Sequence, residues 1–157
     1  MSTRLGIDGK VYRNTGTYGT PTWTEITLVK DVQVSPTWSK ADSSSRASKV
    51  MSDVKAQLAL AFTISVKVSL TDAGYIALMD SFVDPDGVID MLVLNGDTAT
   101  NGVEGWRFDA GVFGASEDQS IGAALYRDFD IGPSGHAVNV SKRVTVAAGA
   151  PVFASIA

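Results

Sequence analysis

Thirteen consecutive residues, Leu58 to Leu70, alternate strictly between two kinds of side chain. Every even position carries Leu, Phe, Ile or Val, and every odd position carries Ala, Thr, Ser or Lys. Because successive side chains of a β-strand point to opposite faces, this pattern predicts a strand with one buried face. At ~3.3 Å per residue it would span about 40 Å, which is far longer than an ordinary strand. Such a length favours the wall of a larger assembly over a small isolated sandwich.

Five shorter alternating stretches, and one stretch over 88–94 that is apolar on both faces except at Asp90, predict six further strands. They cover residues 5–13, 23–35, 88–94, 106–112, 121–131 and 138–146. In the fourth of them, Arg107 and Asp109 are expected on the polar face. Helical spacing of apolar residues predicts one α-helix over 72–83, with Thr71 as its N-cap, and residues 147–157 resemble a tail of small residues. The expected fold is one mainly β domain over 1–157, a β-sandwich or barrel with one α-helix on an open side.

Charge and composition exclude several classes of protein. The formal net charge of -4 and the absence of any basic run argue against a protein held to nucleic acid by phosphate contacts. Disulfides and cysteine-ligated metals are excluded because the chain has no cysteine. No apolar run approaches the ~20 residues that cross a bilayer, and the first residues lack the apolar region of a secretory signal. We expect a chain made in the cytoplasm without a membrane partner.

The sequence offers little for catalysis. His136 is the only histidine, and it stands in a Ser-Gly-rich turn, where a surface role is far more common than a catalytic one. Asp84, Asp86 and Asp90 do not have the spacing of an EF-hand calcium loop. No nucleophile elbow, phosphate-binding loop or zinc-protease motif occurs. The sequence therefore predicts no catalytic residue, metal site or cofactor.

A polar excursion over residues 36–57 interrupts the strand pattern. Between Trp38 and Ser48 it contains one large apolar residue and three consecutive serines, so it cannot bury itself. Trp23 and Trp106 adjoin apolar alternation and are predicted to be core residues. Trp38 has polar neighbours, and two roles stay open for it: a staple that holds the loop to its own domain, or an anchor for a partner.

Asp42 and Arg46 form an acid and base pair within this excursion. If the segment is helical, their spacing brings them together, which contributes only a few tenths of a kcal/mol when the pair is exposed. Across a protein interface, the same two charges would fix the register of the partners more strongly.

The order and spacing of several motifs resemble the tail tube proteins of long-tailed bacteriophages, also called major tail proteins. The residues that carry the resemblance are Lys10 to Arg13, Trp23 to Ile26, Val29 to Val32, Ala41-Asp42 with Arg46, the strand from Leu58, the helix ending in Asp80-Ser81-Phe82, Val88 to Leu94, and Gly102-x-x-Gly105-Trp106. Together they span roughly residues 5 to 135. Residues 136–157 form a C-terminal extension beyond this common region.

The resemblance implies a structural virion protein that makes or breaks no bond. Its β-sandwich protomers would join as hexameric rings that stack into the tail tube, the conduit for DNA ejection, with residues 36–57 as a protruding assembly loop. The expected contact residues of this loop are Trp38, Lys40, Asp42, Arg46 and Lys49. Other tail proteins (tape measure, terminator, baseplate or tip) would be its partners in the virion, and DNA would be a transient, non-specific cargo.

The odd face of the long strand is a candidate lining for the lumen of such a tube. Its small and polar side chains, with Thr63, Ser65 and Lys67 at the centre, suit contact with water, and an acidic protein disfavours DNA sticking to the wall. The competing hypothesis is a monomeric β-sandwich that binds a ligand, such as a carbohydrate, through Trp23 and Trp38 as stacking platforms.

Overall fold

The computed structural model describes residues 6–47, 50–122 and 124–156. These residues form a mainly β fold with one α-helix, as predicted. After a 3-10 turn at Gly6–Asp8 the elements are β1 (Lys10–Asn14), β2 (Trp23–Glu25), β3 (Val29–Asp42), β4 (Asp53–Lys67), α1 (Ala73–Val83), β5 (Ile89–Leu94), β6 (Glu104–Glu117), β7 (Tyr126–Pro133), β8 (Lys142–Ala147) and β9 (Ala150–Ser155).

All strand pairs are antiparallel, and β6 is the strand at which the sheet branches. The main path runs β2-β1-β5-β6-β7-β4-β3, while β8 pairs with β6 and carries β9. On one edge β6 pairs with β5 from Gly105 to Ala110. On the other edge Glu104 to Arg107 pair with β8, and Ala110 to Glu117 pair with β7. The two halves of β6 therefore belong to different parts of the sheet.

The sheet folds over itself, so that β3 and β4 cover β5 and the first half of β6. The rings of Phe62 on β4 and Phe108 on β6 stack with centroids 4.6 Å apart. Ile64 and Val66 are fully buried, while Thr63 and Lys67 between them are exposed. The predicted burial of the even face is confirmed from Leu60 to Val66, because this part of the face meets a second layer of strands. The strand ends at Lys67, however, and Leu70, which was also predicted on the buried face, is 87% exposed.

The helix begins one residue later than predicted and has a different N-cap. Asp72, not Thr71, caps it, since an Asp72 carboxylate oxygen accepts a hydrogen bond of 2.9 Å from the backbone amide of Tyr75. Tyr75 and Leu78 are buried, and the Tyr75 ring contacts Phe129 edge-on. Within the described ranges, no helix combines the length and the apolar character that a membrane span needs.

Several predicted strands have different limits. The stretch predicted over 23–35 breaks between β2 and β3, where the Ile26 amide donates to Val11 and Leu28 accepts from the Lys67 amide. The chain thus changes neighbours, from β1 to β4, within three residues. The stretch predicted over 121–131 begins only at Tyr126. In the stretch predicted over 5–13, Leu5 lies outside the described residues, Gly6–Asp8 form the 3-10 turn, and the strand begins at Lys10.

The C-terminal extension is an integral part of the sheet. The predicted strand over 138–146 begins at Lys142, and residues 147–157, predicted to be a tail, contain β9. Ala148 and Gly149 turn the chain with φ of 51° and 76°, the conformation that a tight hairpin needs. Val144 and Val146 are buried in a second core cluster. The other buried members of this cluster are Tyr12, Leu92, Leu94 and Val103.

Candidate functional site

The segment predicted as a loop over 36–57 is a β-hairpin, which we call the hairpin arm. It joins the outer half of β3 to the start of β4, and its ladder continues to the facing pair Asp42 and Asp53. The prediction of an irregular loop was wrong because backbone hydrogen bonds do not require apolar side chains. Alternation disappears where neither face of a ladder is buried. Apart from the half-buried Trp38, every described residue of the arm is exposed.

Serine hydroxyls organise the far end of the hairpin arm, residues 43–53, which we call the tip. The Ser43 amide donates to the Ser52 carbonyl at 2.9 Å, and the Ser52 amide donates to the Ser44 hydroxyl at 3.0 Å. Hydrogen bonds from the hydroxyl and the backbone amide of Ser44 lower the pKa of the Asp42 carboxyl. Ser43 and Ser44, two of the three consecutive serines, therefore have a structural role within the turn.

The structure separates the predicted contact residues of the arm. Asp42 ends a strand and binds Ser44, so the helical pairing of Asp42 with Arg46 does not occur; Arg46 lies in the turn. Lys40 faces Lys55 across the ladder. Lys49 lies outside the described residues. Their role in contacts between protomers stays a prediction.

Trp38 lies at the root of the arm, beside an apolar groove that we call the base groove. The Lys55 ammonium is 5.6 Å from the centroid of the Trp38 ring. The base groove has a volume of about 480 Å³ and is lined by Pro36, Trp38, Leu58, Trp106, Arg143, Ala154, Ser155 and Ile156. Trp38 thus has one side on its own protomer and one side on an open groove, so both roles left open for it are compatible with its position.

The outer surface of β3, β4, β7 and the second half of β6 carries mostly small and polar side chains together with the exposed ring of Phe113, and we call it the polar face. Thr63 and Lys67 are exposed there, and Ser65 is half-buried. The Thr63 hydroxyl donates to Asp130 on β7 at 3.4 Å, and Asp128 faces Ser65 across the same pair of strands. Small side chains and carboxylates therefore dominate the face that the alternation placed opposite the core.

The four strands of the polar face end in two unpaired edges. Among the described strands, β3 pairs with β4 alone. The second edge is on β6: its residues from Val112 to Glu117 have β7 on one side and no other described strand on the opposite side. Edges without a partner strand can pair with another chain, and α1 lies beside the one on β6.

Two buried charges on β6 were placed on the wrong face by the sequence pattern. Arg107 and Asp109 are almost completely buried. Arg107 binds Asp90, while an Asp109 carboxylate oxygen accepts from the Val138 and Asn139 amides at 3.1 and 2.9 Å. One feature of the sequence could have predicted this burial. The neighbouring strand β5 is apolar on both faces except at Asp90, which indicates that other elements cover both faces of this part of the sheet.

Aromatic and acidic groups that resembled ligand sites have structural partners. The Trp23 ring lies 6.2 Å from Phe153, and Arg107 lies over it at 4.9 Å. His136 is 3.2 Å from Asp86, and both side chains are exposed. Within the residues that the structure describes, no group of three or more acidic, His or Cys side chains could hold a metal.

Comparisons with known proteins give matches in structure alone. No protein-family model and no curated protein sequence matches the chain. The tail of an empty gene transfer agent particle, solved with C6 symmetry, is 12% identical with a TM-score of 0.67, covering 86% of this chain and 97% of that chain. The SPP1 tail tube is 10% identical with a TM-score of 0.67, covering 98% and 80%. The sheath-tube complex of an extracellular contractile injection system is 8% identical with a TM-score of 0.59, covering 98% and 93%. The chain therefore has the fold of tail tube proteins, as its sequence motifs indicated.

Proposed function

We propose that this chain is a structural virion protein that assembles as stacked hexameric rings into a phage tail tube. The observation that carries the proposal is the tail tube fold over nearly the whole chain, shared with a tail of C6 symmetry. The mechanism is assembly, and the protein is not an enzyme. Its place is the virion tail, after synthesis in the host cytoplasm.

Ring closure uses the two unpaired edges of the polar face. The β3 edge of one protomer pairs with the β6 edge, Val112 to Glu117, of its neighbour. Because these edges are different surfaces, each protomer offers one and receives the other, which makes a head-to-tail contact that closes into a ring when the rotation fits. Both edges then gain the hydrogen bonds that they lack in the protomer.

The polar face lines the lumen. In the closed ring, the sheets of six protomers form one continuous wall with Thr63, Ser65 and Lys67 facing the channel. Asp31, Asp128 and Asp130 outnumber Lys30 and Lys67 on this face, so passing DNA meets a weakly acidic surface that it does not bind tightly. A reconstruction of the tube with Thr63 and Ser65 on its outer wall would refute this orientation.

The hairpin arm makes the contacts between successive rings or neighbouring protomers. Its exposed ladder projects polar and charged side chains away from the core, and Trp38 stands at its root. The finished tube also meets other tail proteins: the tape measure inside, the terminator at one end and the baseplate or tip at the other.

Light scattering and negative-stain electron microscopy of the purified protein, across a range of concentrations, test the proposal. We expect rings or tubes whose fraction rises with concentration. A single 16.5 kDa species at every concentration would overturn the proposal and favour a monomeric ligand-binding module. The structure does not favour that module, because Trp23 packs against Arg107 and Phe153 of its own protomer.

A further inference from the structure

Three apolar side chains at the tip of the hairpin arm and directly beside it are exposed, and we call them the knob. Met51 is 83% exposed, Val50 73% and Val54 51%. Apolar side chains gathered at the end of a projecting hairpin gain little from their own protomer. Their burial elsewhere would be favourable by the hydrophobic effect.

The base groove lies at the opposite end of the same arm. Its lining is mostly apolar, and an exposed ion pair stands at its rim, where Arg143 donates to Glu104 at 3.1 Å. The rim therefore presents one cation and one anion beside an apolar depression.

The knob cannot enter the base groove of its own protomer. Leu58 in the groove and Asp53 at the tip lie on one paired strand, about 16 Å apart at ~3.3 Å per residue. The ladder between Lys40 and Lys55 keeps the arm extended. Any knob that fills this groove must come from another copy, and since knob and groove are different surfaces, the contact repeats from copy to copy.

The charges of the tip complement those of the groove rim. Asp42 and Asp53 face each other in the ladder, and like charges so placed are unfavourable unless a cation lies near. Arg143 of a second copy offers that cation. Arg46, in the turn, finds a carboxylate in Glu104 beside it.

We propose that the knob of one copy docks in the base groove of a second copy, in the adjacent ring of the tube. Met51 enters beside Trp38, while Asp42 and Asp53 approach Arg143. The proposal rests on the tail tube function and adds the surface that receives the arm. It also gives Trp38 two roles. Trp38 forms part of the groove wall in its own protomer, and it contacts the knob of the second copy.

Disulfide cross-linking tests this contact. The chain has no cysteine of its own, so only the introduced thiols can react. Met51→Cys and Ala154→Cys chains are purified separately, mixed, assembled and oxidised, and the joined peptides are identified by mass spectrometry. We expect a mixed disulfide between the two chains. Thr71→Cys, exposed in front of α1, replaces Ala154→Cys as the matched control and should give none.

The outcomes separate this inference from the proposed function. Tubes without the mixed disulfide would overturn the knob and groove contact and leave the tube function standing. A mixed disulfide without tubes would overturn the tube function and the placement of the contact between adjacent rings, and would leave only the contact between two copies standing. Chains that neither assemble nor cross-link would overturn both.

Charge reversal gives a second test of the same contact. Arg143→Glu should raise the protein concentration needed for tubes about tenfold, and Asp53→Lys in the same chain should restore most of the loss. Assembly of Arg143→Glu at the wild-type concentration would contradict the pairing of charges.

Discussion

The guanidinium of Arg107 donates hydrogen bonds to both carboxylate oxygens of Asp90, at 2.7 and 3.1 Å, from a buried position. The same guanidinium lies over the rings of Tyr18, Phe153 and Trp23, at 3.9, 4.7 and 4.9 Å. It also donates to the Tyr18 carbonyl at 3.0 Å. This cation therefore ties the centre of the sheet to the β1–β2 connection, to β2 and to the C-terminal hairpin.

Removing this cation should destabilise the protomer strongly. Arg107→Leu leaves the partly buried Asp90 carboxylate without its cation, with only the Asn14 amide still donating to it, and we expect the free energy of unfolding to fall by about 3–5 kcal/mol. Urea unfolding followed by tryptophan fluorescence measures it. Arg143→Leu, which breaks an exposed ion pair, is the control and should cost about 1 kcal/mol or less. Equal losses in the two variants would contradict the assigned role.

Gly105 is a position where the sheet leaves no room for a side chain. A Cβ atom there would lie 1.9 Å from the Val93 carbonyl oxygen on the paired strand. Gly105→Ala must push β5 and β6 apart, so we expect a loss of about 3 kcal/mol or more, or failure to fold. Gly135→Ala has open space around it and should have little effect on the unfolding midpoint.

Stability should fall in acid partly through Asp97. Hydrogen bonds from the Ala99 amide and the Lys10 ammonium hold the pKa of the Asp97 carboxyl below its ordinary value, so this group stabilises the fold above about pH 4. That contribution is lost as the pH falls through the lowered pKa. Urea unfolding from pH 6 to pH 3 should show a smaller loss for Asp97→Asn than for the wild type. Parallel pH curves would contradict this assignment.

The pKa of Lys10 is raised, chiefly by its hydrogen bond to Asp97. The contribution of Lys10 to stability therefore has the opposite pH dependence to that of Asp97. Its contribution is present below about pH 10 and is lost as the pH rises through the raised pKa. In the Asp97→Asn variant, the alkaline loss of stability should therefore also be smaller, which the same measurement from pH 8 to pH 11 checks.

Variants at the two ends of the arm should fold normally but assemble poorly. Trp38→Ala removes a wall of the base groove, and Arg46→Glu reverses a charge in the turn. Each should raise the concentration needed for tubes about tenfold or more, because anchor residues dominate interfaces. The thermal unfolding of each protomer, measured by circular dichroism, should change little. Normal tubes from both variants in negative-stain microscopy would remove the arm from the assembly mechanism.

The sequence alone determined the features that depend on local patterns. The alternation from Leu58 identified the buried face of β4, since a strand covered on one side needs apolar residues at every second position. Helical spacing located α1 to within one residue. The order of short motifs indicated the tail tube fold, although the chain is only 8–12% identical to the solved structures that share it.

Tertiary structure decided the features that depend on which strands meet. Arg107 and Asp109 stand at polar positions of an alternating strand, yet strands and loops distant in sequence cover them and supply their partners. The arm continues a ladder that its own residues do not predict, because the backbone bonds of β3 and β4 extend beyond the core. Residues 142–155 complete the second core cluster only because β6 leaves an edge for β8. Local patterns indicate which face of a strand is buried. The burial of charges, the pairing of strand edges and the extent of hairpins depend on contacts between residues far apart in the chain.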